Sequence, residues 1–162
     1  MLWNALSVSV VGLYGITLLL FLWTRHLSHL ISFLGLFVVV GLSESLKRVC
    51  IGSTCPRPLG AKDCNTFCSD GDQTGRPGMP SSHAAFVTFF VTYYAPVLTN
   101  PLRALAFLYA AVVIYSRYAK KCHSVIQLAS GSVLGGGMGM LATMLANRLA
   151  PLLVGDVHGV RL

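Results

Sequence analysis

The chain has 162 residues, of which 54% are hydrophobic and 10% charged, against roughly 25% charged in an ordinary soluble domain. That leaves too few polar side chains to cover a soluble domain and too much apolar surface for a disordered one. The formal net charge of +7 would suit nucleic acid only if it coated a solvated face, so its location decides its meaning.

In chain order, Met1 to Thr24 carries no charged residue and is rich in Leu and Val, long enough to cross roughly 30 Å of hydrocarbon as a helix. A secretory leader is the competing reading. No basic residue precedes the apolar run, however, and Trp23-Thr24-Arg25-His26 lacks a small-residue cleavage site. Leu27 to Leu46 makes a second span, with Glu44 near its end. Residues 47–80 then change to Gly, Pro, Cys, Asp and basic residues. Ser81 to Leu98 is a third span, Leu102 to Tyr115 a fourth with ends reaching Arg103 and Arg117, and Ser124 to Ala146 a fifth. From Asn147 the chain is too short and polar for another. The expected fold is all-α: an integral-membrane helical bundle of about five transmembrane helices, one domain over residues 1–162. Gly131, Gly135 and Gly139 recur at four-residue spacing in the fifth span. Such a stripe lets two membrane helices approach closely. Internal packing is the favoured reading, and a homo-oligomer contact through the same face is the alternative.

Five spans sort the loops. One membrane face receives Lys47, Arg48, Arg57, Lys62, Arg76, Arg117, Lys120 and Lys121, eight of the twelve basic residues, together with His83, His123 and all five cysteines. The other face receives only Arg25, Arg103, Arg148 and Arg161. Charge gathered at one face points to a site rather than a coating, and away from nucleic acid. Arginine forks and lysine ammonium groups bind phosphate oxygens. A histidine beside a bound phosphoryl group can attack it, and a second can protonate the leaving oxygen. Pro80-Ser81-Ser82-His83 opens the third span, where free backbone N–H groups add to an anion cradle. Gln127 follows His123 by four residues, on the same helical face and within reach of its ring. Lys120 and Lys121 suit lipid head groups, and Glu44 suits a pairing with Lys47 or Arg48 rather than catalysis.

These residues resemble the three-part signature of the type 2 phosphatidic acid phosphatase superfamily of integral-membrane phosphatases. Its usual form is Lys six residues before Arg-Pro, then Pro-Ser-Gly-His, then Ser-Arg, five residues, His, three residues and Asp. Here Pro80-Ser81-Ser82-His83 stands for the second element, and Ser116-Arg117 followed by His123 and Gln127 for the third. The first is stretched: Lys47 lies nine residues before Arg57-Pro58, and Arg48 eight. Gly-Met-Pro-Ser-Ser-His (Gly78 to His83), and Tyr115-Ser116-Arg117 followed by His123-Ser124 and Gln127, are similar to the dolichyl diphosphatase branch. That resemblance implies hydrolysis of a polyprenyl diphosphate to the monophosphate at the lumenal face of the endoplasmic reticulum, without metal or other cofactor. It further implies His123 as nucleophile, forming a phosphohistidine, and His83 as the acid and then base. Gln127 would orient His123, while Lys47 or Arg48, Arg57, Ser81, Ser82 and Arg117 would hold phosphate. A carboxylate at 127 would orient the ring equally and stabilise its positive charge, so Gln127→Asp is expected to retain or raise turnover.

The cysteine spacings, Cys55-x8-Cys64 and Cys64-x3-Cys68, fit no paired zinc pattern. Disulfides in the 47–80 loop suit an oxidising lumen. The positive-inside rule would put the basic face in the cytoplasm, but several of those charges serve the substrate. The alternatives are a broad-specificity phosphatase of phosphatidate or sphingoid phosphates, and a non-catalytic membrane protein that binds lipid phosphates.

Overall fold

A computed structural model describes residues 2–51 and 54–154. It contains five α-helices: α1 (Leu2–Thr24), α2 (Leu27–Leu46), α3 (Ser82–Tyr94), α4 (Asn100–Ala119) and α5 (Val125–Val154). Four of them, all but α3, are long and apolar enough to cross a membrane. The fold is thus the all-helical bundle that the composition demands, and it fits a multi-pass membrane protein.

The helix ends follow local chemistry. At the end of α1, Arg25 takes a left-handed backbone (φ 57°), and the His26 N–H donates to Thr24 Oγ1. Pro101 sits in the first turn of α4, where its missing N–H costs nothing. The far end of α4 closes on Lys121 with φ 56°, and the turn returns the Cys122 N–H to the Arg117 carbonyl. Both ends of α4 extend past its apolar run to take in Arg103 and Arg117, as expected. α5 continues beyond Ala146 to Val154; residues 155–162, Arg161 included, lie outside the described residues.

α3 departs from its expectation. It ends at Tyr94, not Leu98, with Ala95 as its C-cap, because Pro96 has no N–H to continue the helical ladder. Thirteen residues rise only about 20 Å, too little to cross alone. α3 instead lies inside the bundle, with nine of the thirteen buried. Its Phe86, Val87, Phe89 and Val91 form the core with Val10 and Leu13 of α1, Leu36 and Val39 of α2, and Ala110 and Val113 of α4. Leu18, Leu19, Leu105, Leu108, Val133 and Leu141 face outward, the arrangement expected where lipid is the solvent.

The glycine stripe explains how α5 approaches α3. A methyl group on Gly131, Gly135 or Gly139 would overlap the Ser81, Ala85 or Phe89 carbonyl oxygen of α3 or its cap. The stripe of Gly131, Gly135 and Gly139 thus packs within the chain, against α3 and its cap.

The loop that precedes α3 folds back on itself through two antiparallel bridges, Pro56 with Pro77 and Lys62 with Asp72. A disulfide joins Cys64 to Cys122, tying this loop to the corner between α4 and α5. Cys55 and Cys68 carry free thiols. A loop disulfide was expected, but its partner is the cysteine next to His123.

Candidate active site

One end of the bundle gathers four segments. α2 runs into a π-helical turn, Lys47–Ile51, which carries Lys47 and Arg48. The loop contributes Arg57 and Arg76, the start of α3 contributes Ser82 and His83, and the α4–α5 corner contributes His123 and Gln127. Between them lies a cavity of about 540 Å³. Its upper wall is polar, formed by Glu44, Lys47, Arg48, Arg57, Arg76, Ser82, His83 and His123. Its floor is apolar, formed by Val10, Tyr14, Val40 and Phe86.

The hydrogen bonds of His123 fix its tautomer. Arg57 Nη1 lies 3.3 Å from His123 Nε2, and a guanidinium can only donate. Nε2 therefore presents its lone pair, and the ring proton sits on Nδ1, 3.3 Å from Gln127 Oε1. Gln127 is held in turn. Its Nε2 donates to the carbonyls of Cys55 (3.0 Å) and Pro56 (2.8 Å), while Oε1 also accepts the Ser124 N–H (3.1 Å). With both amide hydrogens on carbonyls, only the oxygen can face the imidazole. Burial first, and then the charges of Arg57, Arg117 and Lys47, push the His123 pKa well below its ordinary value. The ring is neutral at physiological pH, as a nucleophile must be.

Two further atoms await a partner. His83 Nε2 and Arg57 Nε are buried and make no hydrogen bond among the described residues, and both side chains line the cavity. Buried polar atoms are nearly always satisfied, so an orphaned ring nitrogen and an orphaned guanidinium nitrogen in one cavity suit a bound anion. Lys47 is buried and donates to Glu44 Oε1 (2.6 Å) and Ser82 Oγ (3.1 Å). The Ser82 hydroxyl itself donates to Glu44. Among the described residues no group of three His, Cys, Asp or Glu side chains converges as metal ligands would.

A family model described as the PAP2 superfamily matches residues 28–150, most of the chain. The chain belongs to the PAP2 superfamily. PAP2 members are phosphatases, which supports a phosphoric-ester hydrolase acting on lipid phosphates. No curated protein and no solved structure matches the chain.

The PAP2 signature residues divide into those that meet the cavity and those that support it. Lys47 enters the cavity wall buried, while Arg48 stays exposed at the rim; the stretched first element passes through the π-helical turn. Ser81 does not line the cavity. Its hydroxyl caps α3 by accepting the Ala84 N–H (3.5 Å). Arg117 does not line it either: fully buried, it donates to Ser7 Oγ of α1 and to the Cys64 carbonyl. It clamps the disulfide-bonded loop, and only its charge reaches His123. Lys120, expected among head groups, turns inward to Asn4 Oδ1, the Asp63 carbonyl and Cys68 Sγ. Glu44 pairs with Lys47, one of the pairings expected.

Gly78 stands in a motif and Arg76 among the basic residues of this face, but sequence reasoning gave neither a role in the site. A Cβ on Gly78 would lie 2.7 Å from both amide atoms of Gln127 and 2.9 Å from Arg57 Cγ, so this position must lack a side chain. The Cys64–Cys122 pairing was also missed. The adjacency of Cys122 to His123 was its one visible signal.

Proposed function

We propose that the protein is a lipid phosphatase that hydrolyses a polyprenyl diphosphate to the monophosphate through a phosphohistidine. The observation that carries this reading is the His123 ring, neutral, with Nδ1–H on Gln127 and the Nε2 lone pair beside Arg57 in a cavity with a cationic wall and an apolar floor. The wall suits a phosphorylated head and the floor suits the first part of a hydrocarbon tail.

In this reading His123 Nε2 attacks the terminal phosphorus, and the bond to the bridging oxygen breaks. Arg57 and Lys47 balance charge on the equatorial oxygens, Arg57 through its unpaired Nε as well. The bound anion favours the imidazolium form of His83, which gives its proton to the departing lipid monophosphate. Neutral His83 then takes a proton from water, whose oxygen attacks phosphorus as the P–N bond breaks and orthophosphate leaves. Gln127 orients the nucleophile, Ser82 and Glu44 hold Lys47, Ser81 caps the helix that carries His83, and Arg117 acts from behind the cavity. The reaction requires no metal. The Cys64–Cys122 bond supports a site facing an oxidising compartment, consistent with the lumen of the endoplasmic reticulum.

The test is phosphate release by the purified protein in mixed micelles with chelator present, comparing a polyprenyl diphosphate with phosphatidate. Preferential release from the diphosphate is expected. Equal rates on both would favour a broad-specificity phosphatase, and release from neither would overturn the catalytic reading.

A further inference from the structure

Arg76 lies outside the family signature, yet the chain places it beside Arg57. Pro56 and Pro77 form an antiparallel bridge. The Arg57 N–H donates to the Arg76 carbonyl (2.8 Å), and the Gly78 N–H donates to the Cys55 carbonyl (3.2 Å). This register sets Arg57 and Arg76 directly opposite each other, with both side chains on the same face of the ladder. Both line the cavity. Like charges directly opposite one another are destabilising; the carboxylates of Asp70 and Glu44 offset this for Arg57 from a distance, but neither arginine makes a contact ion pair among the described residues. Among the described residues the single ion pair is Lys47 with Glu44. Asp70 lines the same cavity, but its Oδ1 accepts the Cys64 and Asn65 N–H groups. Asp72 Oδ1 accepts the Thr74 N–H. Arg48, one residue beyond Lys47, is exposed at the rim of the same cavity.

The cations thus form two sets. Lys47 and Arg57 are buried or partly buried and stand beside His83 and His123, where one phosphoryl group would react. Arg48 and Arg76 are exposed above them, at the mouth. A single phosphoryl group engaged by the inner set would leave the outer pair without a ligand.

We propose that Arg76, together with Arg48, forms a second anion subsite that holds the non-transferred phosphoryl group of a diphosphate. This rests on the proposed function for the identity of the substrate, but the subsite itself can be tested without turnover. The probes are inorganic pyrophosphate and orthophosphate, titrated calorimetrically into the detergent-solubilised full chain. Arg76→Ala and Arg76→Lys serve as variants, both at an exposed position where folding is not at stake.

The wild-type chain is expected to bind pyrophosphate about tenfold more tightly than orthophosphate, the scale of one added charge-assisted contact. Arg76→Ala should remove most of that preference, and Arg76→Lys should retain part of it. Equal weakening of both anions by Arg76→Ala, or no change in their ratio, would overturn the subsite. If the wild-type chain shows the pyrophosphate preference but releases no phosphate from any lipid, the subsite stands and the catalytic reading falls. If it hydrolyses lipid phosphates while the ratio is indifferent to Arg76, the catalytic reading stands and the subsite falls.

Discussion

Gln127 shows how much one side chain specifies at this site. Its amide oxygen faces the His123 ring because its nitrogen is committed to the Cys55 and Pro56 carbonyls. A carboxylate would set a negative oxygen against those two carbonyls and take from Pro56 its Gln127 donor, the Cys55 carbonyl keeping the Gly78 N–H, at a cost of about 1–3 kcal/mol for an unsatisfied buried group. The structure therefore reverses the expectation for a carboxylate at this position. Gln127→Glu and Gln127→Asp should both lower kcat by tenfold or more, roughly the scale of a misplaced reacting group, with KM little changed. Steady-state kinetics on the three proteins decide it, and a carboxylate variant as fast as wild type would contradict the argument. His123 carries a second expectation. Its folded pKa is depressed by burial and by neighbouring cations, so its contribution to stability is fully present above the unfolded value of about 6.5. That contribution is lost as pH falls below it towards the folded pKa. Histidine-labelled NMR should find this ring still neutral where an ordinary histidine is half protonated. A midpoint near the ordinary value would contradict the environment described.

Among the elements, the pair α3 and α5 carries the proposed catalytic geometry, since α3 holds His83 in its first turn and α5 follows His123. Their close approach depends on backbone meeting backbone across Gly131, Gly135 and Gly139. Gly135→Leu should force the helices apart, costing about 3 kcal/mol or more as severe overpacking, and should abolish activity by separating the two histidines. Thermal unfolding in detergent and phosphate release check the two effects, and a variant with wild-type stability would contradict the packing. The other spans were legible because long apolar runs with charged ends leave few alternatives. The shortness of α3 was less so, because Val97 and Leu98 continue the apolar run past Pro96. The spacing of the glycines was visible in the sequence, but which helix they face is a tertiary matter.

For the whole molecule, the order of motifs along the chain raised the expectation of a phosphate site at one membrane face, and the fold brings Lys47, Arg57, Ser82, His83 and His123 around a single cavity. Motif position could not distinguish contact from support. Ser81 and Arg117 occupy signature positions yet serve a helix cap and a loop clamp: Ser81 caps its own helix through the Ala84 N–H, while the partners of Arg117, Ser7 and Cys64, lie far along the chain. Arg76 became visible only through the pairing of residues 55–57 with 76–78. The central claim is that His123 becomes covalently phosphorylated, and the most direct measurement is rapid quenching with a polyprenyl diphosphate labelled at its terminal phosphorus. Acid-labile label is expected on His123, accumulating in His83→Ala, where breakdown is slowed, with no protein-bound label in His123→Ala. Label retained by His123→Ala, or a wild-type enzyme that turns over with no histidine ever labelled, would contradict it.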